Sequence, residues 1–163
     1  MDKKMFCFQC EQTAGCTGCT GNAGVCGKSA DTAKLQDRLT GALIGLARAC
    51  AEQEAAKRTA LTPLVLEGLF TTITNVNFND ETIEILIEKV RTEKKIAPLT
   101  PDYDMADLWN AEEDIRSLKS LILFGIRGMA AYAYHARVLG YSDETVDRFF
   151  FTALDTLRKD LPM

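Results

Sequence analysis

The sequence predicts an all-α fold, an antiparallel helical bundle that carries a cysteine-rich N-terminal loop. Three observations lead there. After Ser29, apolar residues recur at helical spacing in one segment after another, and no stretch keeps the alternation of a strand. Five of the six cysteines and five of the eleven glycines fall between Cys7 and Lys28. A chain of 163 residues, 47% apolar and 26% charged, has the size and balance of one packed domain. Within that domain, residues 1–30 form the loop and residues 31–163 the bundle.

The first helix lies in "SADTAKLQDRLTGALIGLARACAEQ", with Ser29 or Asp31 as its N-cap. Leu35, Leu39, Ala42, Leu43, Leu46 and Cys50 form its inner face. Gly41 and Gly45 stand one turn apart. They would admit another helix at close range, or else weaken this one by roughly 1 kcal/mol each. The next helix starts at Pro63 in "TPLVLEGLFTTITNVNFND", since proline suits a first turn. Asn79 or Asp80 opens "ETIEILIEKVRTEKK", which puts Ile83, Leu86, Ile87 and Val90 on one face. "IAPLTPDYDMADLW" has two prolines and no sustained period, so it reads as a loop.

The longest helix is "AEEDIRSLKSLILFGIRGMAAYAYHARVLG". Acids open it, which suits the helix dipole, and Gly140 offers a stop. Ile115, Leu118, Ile122, Ile126, Met129 and Ala133 form one apolar stripe. Leu121, Phe124, Gly128, Ala131, Tyr132, His135 and Leu139 form a second, with Arg116, Lys119, Arg127 and Arg137 between the two. A helix apolar on two faces needs two partners. Ser142 then caps a final helix that turns Val146, Phe149, Phe150, Ala153, Leu154 and Leu157 inward.

Charge and composition exclude several classes. A net charge of -4 without a basic patch argues against a nucleic-acid partner. The start "MDKKMFCFQC" has no apolar core of a signal peptide, and no apolar run reaches the length of a membrane span. The expected location is the cytoplasm, where clustered cysteines bind metal or do redox chemistry more often than they form disulfides. Cys50 stands apart and reads as a small buried hydrophobe.

Three chemistries compete for the loop. Cys7-x₂-Cys10 and Cys16-x₂-Cys19 make two pairs that suit tetrahedral zinc, but Cys26 is then left over. An iron–sulfur cluster also takes four thiolates. It needs a tightly curled backbone, which glycines at 15, 18, 21, 24 and 27 would permit, and the loop's N–H groups and Lys28 would stabilise its negative charge and raise its potential. A bare loop would leave its thiols open to oxidation. Spacing leaves zinc and iron–sulfur both open, with iron–sulfur ahead.

The motifs "MFCFQCEQTAG", "GCTG", "GVCGK" and "KLQDRL" resemble the N-terminal region of the hybrid cluster protein family, also called prismane proteins or hydroxylamine reductases. The similarity continues through "LFTTITNVNFND" and "EEDIRSLKSLILFGIRGMAAYAYHARVLGY" to the final helix. It implies that Cys7, Cys10, Cys19 and Cys26 hold the cluster, while Cys16 matches a position that is usually not cysteine and could serve as a substitute ligand. Eight residues separate Cys10 from Cys19, as in the branch that resembles a cubane-binding type. Six separate Cys19 from Cys26, as in the other branch. The short loop favours [4Fe-4S], with [2Fe-2S] as the alternative.

The resemblance also implies a longer parent enzyme. Its hybrid iron–sulfur–oxygen cluster would be bound by His, Glu and Cys residues in later domains, and it would reduce hydroxylamine to ammonia and water, with nitric oxide as a family-level alternative. This chain would then be an electron relay without a catalytic residue of its own, and its partners would be an external electron donor, the C-terminal domains of the parent and, for the chain alone, a second copy. Its single histidine, His135, would pack at an interface. A free-standing ferredoxin-like electron carrier and a zinc-stabilised helical interaction module are the readings from other classes.

Overall fold

The computed structural model describes residues 5–10, 17–51, 53–94 and 100–159. Among them it contains α1 (Ala30–Ala49), α2 (Ala55–Thr71), α3 (Asp80–Lys94), α4 (Met105–Trp109), α5 (Glu113–Val138) and α6 (Glu144–Leu157), and no strand. The fold is all-α.

Helix α1 is the central element. It packs on α3 and α6 and also touches α2 and α4, while α2 rests on α5 and α6. A helix enclosed in this way must be apolar around most of its circumference, and every position from Leu39 through Ala47 is buried. Leu39, Leu43 and Leu46 meet Val65 and Leu69 of α2, Ile83 and Ile87 of α3, and Phe150 and Leu154 of α6 in one core. Burying each such side chain stabilises the fold by about 1.5–3 kcal/mol. Cys50 is fully buried in the same core, as a small hydrophobe.

Capping follows local chemistry. Ser29 Oγ accepts from the Thr32 N–H at 3.0 Å, and Asn79 Oδ1 accepts from the Thr82 N–H at 2.9 Å. Helix α5 stops where Gly140 takes φ +87°. The Gly140 N–H then bonds the Arg137 carbonyl at 2.9 Å and the Tyr141 N–H the Ala136 carbonyl at 3.0 Å, which satisfies two orphan acceptors. The last helix is capped by Asp143, one residue beyond Ser142, because its carboxylate accepts from both Thr145 and Val146.

Several expectations are corrected. Helix α2 begins at Ala55, so Pro63 lies inside it. The helix formers from Ala55 to Ala60 carry the chain through, and Pro63 is exposed, where one missing N–H bond leaves a carbonyl open to water. The proline-rich segment contains the short helix α4, capped by Asp104. Gly41 and Gly45 admit an extended segment, not a helix. A Cβ on Gly41 would overlap the Tyr103 carbonyl oxygen, and one on Gly45 would lie 2.8 Å from the Pro101 oxygen. Tyr103 N–H bonds the Gly41 carbonyl at 3.0 Å, and Asp102 pairs with Arg91 at 2.9 Å and with Lys94.

On α5 the buried line is Leu123, Ile126, Arg127 and Ala130. Only Ile126 of the first expected stripe is fully buried, and Leu118 and Met129 are exposed. The helix is rotated so that Arg127, expected among the polar residues between the stripes, points inward. Its Nε donates to Thr72 Oγ1 at 2.9 Å and its Nη2 to Thr40 Oγ1 at 3.0 Å. The second stripe faces solvent, with Leu121 66% and Tyr132 83% exposed. Helix α6 is rotated as well: Val146 and Phe149 are exposed and Phe151 is buried. No helix among the described residues is long and apolar enough to cross a membrane.

Candidate metal centre

The N-terminal loop is built from short backbone pairings. Cys7 N–H bonds the Cys19 carbonyl at 3.1 Å, and Cys19 N–H bonds the Cys7 carbonyl at 2.8 Å. Gly24 N–H bonds the Lys28 carbonyl at 2.8 Å, and Gly27 N–H bonds the Gly24 carbonyl at 2.9 Å. Two of the described loop glycines, Gly18 at φ +84° and Gly27 at +85°, occupy the left-handed region that side chains avoid. Gly24 acts by close approach: a Cβ there would lie 3.4 Å from Cys26 Sγ. The regular glycine spacing is therefore not a regular set of positive φ angles. Gly15 and Cys16 lie outside the described residues.

These pairings bring Cys7, Cys10, Cys19 and Cys26 around one small hollow, which Met5 and Lys28 also line. All four are free thiols. Cys7 is the buried one, and the other three are partly exposed. Burial pushes the Cys7 thiol up, against the pull of the Lys28 ammonium and of the Gln9 N–H, which donates to its sulfur. Cys50 lies in the helical core and takes no part. His135 is on α5, edge-on to Phe70 at 5.5 Å and to Tyr134 at 5.9 Å, remote in sequence from the loop and absent from the cavity wall.

Lys28 was expected beside the cluster, but the polar layer that holds it under the loop was not. Lys28, 1% exposed, donates to Gln9 Oε1 at 2.7 Å and Gln36 Oε1 at 2.5 Å, with Cys7 Sγ at 3.8 Å. Asp37 Oδ2 accepts from the Trp109 indole at 3.1 Å. Burial pushes the Asp37 carboxyl up to about 6, against its hydrogen bonds to Trp109 and Gln9 and the nearby Arg127 and Lys28 charges. Burial pulls Arg127 down to about 10, opposed by Asp37 and Cys7. The one available signal was in "KLQDRL" and beyond: Gln36 and Thr40 interrupt the apolar face of α1 four residues apart. Nothing in the sequence pointed to Trp109, which packs edge-on against Phe6 at 5.5 Å and Phe8 at 6.4 Å.

Four cysteines lining one hollow are a donor set that fits an iron–sulfur group. Zinc draws all its thiolates to about 2.3 Å from one centre. A cluster gives each thiolate its own iron and so takes a wider set. Two buried cations, Lys28 and Arg127, complement an anionic group.

A profile of the Prismane/CO dehydrogenase family matches residues 5–162. The chain belongs to the Prismane/CO dehydrogenase family. Iron–sulfur clusters accompany this family, in agreement with the donor set. The curated relatives of this family member include a hydroxylamine reductase of Methanocella arvoryzae, 38% identical over 94% of this chain and 34% of the relative. Others are hydroxylamine reductases of Chlorobaculum tepidum, 39% identical over 97% of this chain and 33% of the relative, and of Desulfovibrio desulfuricans, 40% identical over 94% and 33%. The chain thus spans about a third of the length of the curated relatives it matches.

Proposed function

We propose that this chain is the N-terminal electron-relay part of a hydroxylamine reductase, with Cys7, Cys10, Cys19 and Cys26 holding a [4Fe-4S] cluster. The observation that carries the reading is the convergence of these four free thiols on one cavity beside a buried lysine. The shortness of the loop favours the cubane over [2Fe-2S]. The bound group supplies one-electron transfer.

The chain's own residues hold and shield that group. Met5 and Val25 line the hollow beside the cysteines, and the Gln9 N–H and Lys28 face the Cys7 sulfur. The reaction of the whole enzyme would be hydroxylamine plus two electrons and two protons to ammonia and water, with nitric oxide as a further substrate. Its catalytic hybrid cluster would lie in the part of the enzyme beyond this third, and electrons would come from an external donor. We assign the protein to the cytoplasm, where unpaired thiols stay reduced.

Anaerobic purification followed by iron, sulfide and zinc analysis tests the reading. The expected chain is brown, with about four irons and four labile sulfides. It should cycle one electron reversibly and show no hydroxylamine turnover with a viologen donor. One zinc without sulfide would make it a zinc-stabilised helical module. Turnover at the rate of a full-length relative would overturn the relay assignment.

A further inference from the structure

The Lys28 ammonium is held by two neutral amides. Gln36 Nε2 donates to the Asn77 carbonyl at 3.0 Å, which turns its Oε1 toward Lys28. Gln9 is hydrogen-bonded on its other side to Asp37, which turns its Oε1 toward Lys28 as well. The third neighbour of Nζ is Cys7 Sγ at 3.8 Å. Among the described residues Lys28 makes no direct ion pair; the Asp37 carboxyl, hydrogen-bonded to the Gln9 amide, lies one shell further out, where its charge acts on both Lys28 and Cys7.

The choice of amides has a physical consequence. A carboxylate in either place would hold Lys28 equally well and cancel its charge. An amide oxygen fixes the ammonium without the direct cancellation that a carboxylate in contact with it would bring, and Lys28 outweighs the more distant Asp37 in its effect on the Cys7 sulfur. Lys28, Gln9 and Gln36 are all buried, so water screens that charge little. A buried ammonium without a carboxylate partner is costly in itself.

We propose that Gln9 and Gln36 are positioning residues that aim the Lys28 charge at Cys7, and so raise the reduction potential of the group bound there. The proposal rests on the iron–sulfur reading above. Reduction adds one negative charge to that group, and a cation fixed at its Cys7 edge favours the reduced state. The geometry is one-sided: Cys10, Cys19 and Cys26 have no described lysine or arginine hydrogen-bonded to their sulfurs.

The test is a redox titration of the full 163-residue chain, loaded anaerobically with iron and sulfide and followed by absorbance and electron paramagnetic resonance. Gln36→Glu is the decisive variant, because it keeps the clamp's shape and cancels the charge. It should lower the midpoint potential while iron content stays at the wild-type level. Lys28→Met should lower it further, and Lys28→Arg, which keeps the charge, should shift it least. Gln36→Leu should give a smaller fall than Gln36→Glu. If Lys28→Met does not load, the two Gln36 variants decide. Loaded variants that share the wild-type potential would overturn the clamp and leave the iron–sulfur reading standing. A wild-type chain without labile sulfide would overturn both.

Discussion

The indole Nε1 of Trp109 donates to Asp37 Oδ2 at 3.1 Å, a bond that ties α4 to α1 across 72 residues of sequence. Phe6 and Phe8, on either side of Cys7, rest edge-on against that indole. The cysteine loop is therefore seated on a side chain whose own position depends on one partly buried carboxylate. Trp109 is the single tryptophan, so its fluorescence reports on this seat.

Asp37 makes the stability of the cluster-free chain pH-dependent. Its folded pKa of about 6 lies above an unfolded value of about 3.9. Between those values the folded state binds more protons, so this contribution is fully present below about pH 4 and is lost as pH rises through about 6. Asp37→Asn should flatten this limb and stabilise the chain at neutral pH by on the order of 2 kcal/mol. Urea unfolding followed by Trp109 fluorescence at several pH values checks it, and parallel pH profiles for the two proteins would refute it.

The ligand assignment makes a graded prediction. Cys→Ser at position 7, 10, 19 or 26 should each lower iron content sharply, whereas Cys16→Ser and Cys50→Ala should leave it near the wild-type level. Cys50 is enclosed in the helical core, so its substitution tests for a general folding effect. A brown chain after Cys19→Ser combined with a colourless one after Cys16→Ser would reverse the assignment.

Gly41→Ala should act at a distance from its own helix. The added methyl would overlap the Tyr103 carbonyl and push away the segment that leads into α4. Overpacking of this kind costs about 1–3 kcal/mol. The thermal midpoint should fall, and Trp109 emission should shift toward that of a water-exposed indole even before unfolding. A lower midpoint with unchanged emission would mean that α4 is seated independently of the Gly41 contact.

The exposed stripe on α5 should drive self-association of this chain. Leu121, Phe124, Tyr132 and Leu139 are each more than half exposed, at 66%, 53%, 83% and 75%. Gly125 and Gly128 beside them have open space over their Cα atoms, which leaves room for close approach. Apolar faces of this kind rarely stay open on soluble monomers, and a two-fold contact is the commonest way to close one. Sedimentation at micromolar concentration should show a dimer that Leu121→Glu and Phe124→Glu dissociate. A monomer would show that a second copy does not cover this face.

The sequence by itself determined the helical class, the inner face of α1, the stop at Gly140 and the cysteine-rich loop, and it narrowed the first and third caps to Ser29 or Asp31 and Asn79 or Asp80, of which hydrogen bonds select Ser29 and Asn79. These rest on short-range physics, in which helical period, capping hydrogen bonds and backbone freedom involve neighbours in the chain. It also carried the family resemblance, through the long motifs around Cys7, Cys10, Cys19 and Cys26.

Only the tertiary structure decided what distant residues do to one another. Pro63 does not start a helix, because the residues before it already form one. Arg127 points inward because Thr40 and Thr72, from two other parts of the chain, offer it hydroxyls. Gly41 and Gly45 face an extended segment that no periodicity marks. Gln9, Gln36 and Lys28 are ordinary surface residue types in a sequence. They become a buried charge clamp because the loop folds back onto α1, and a polar side chain without water must find its hydrogen bonds among whatever the fold brings to it.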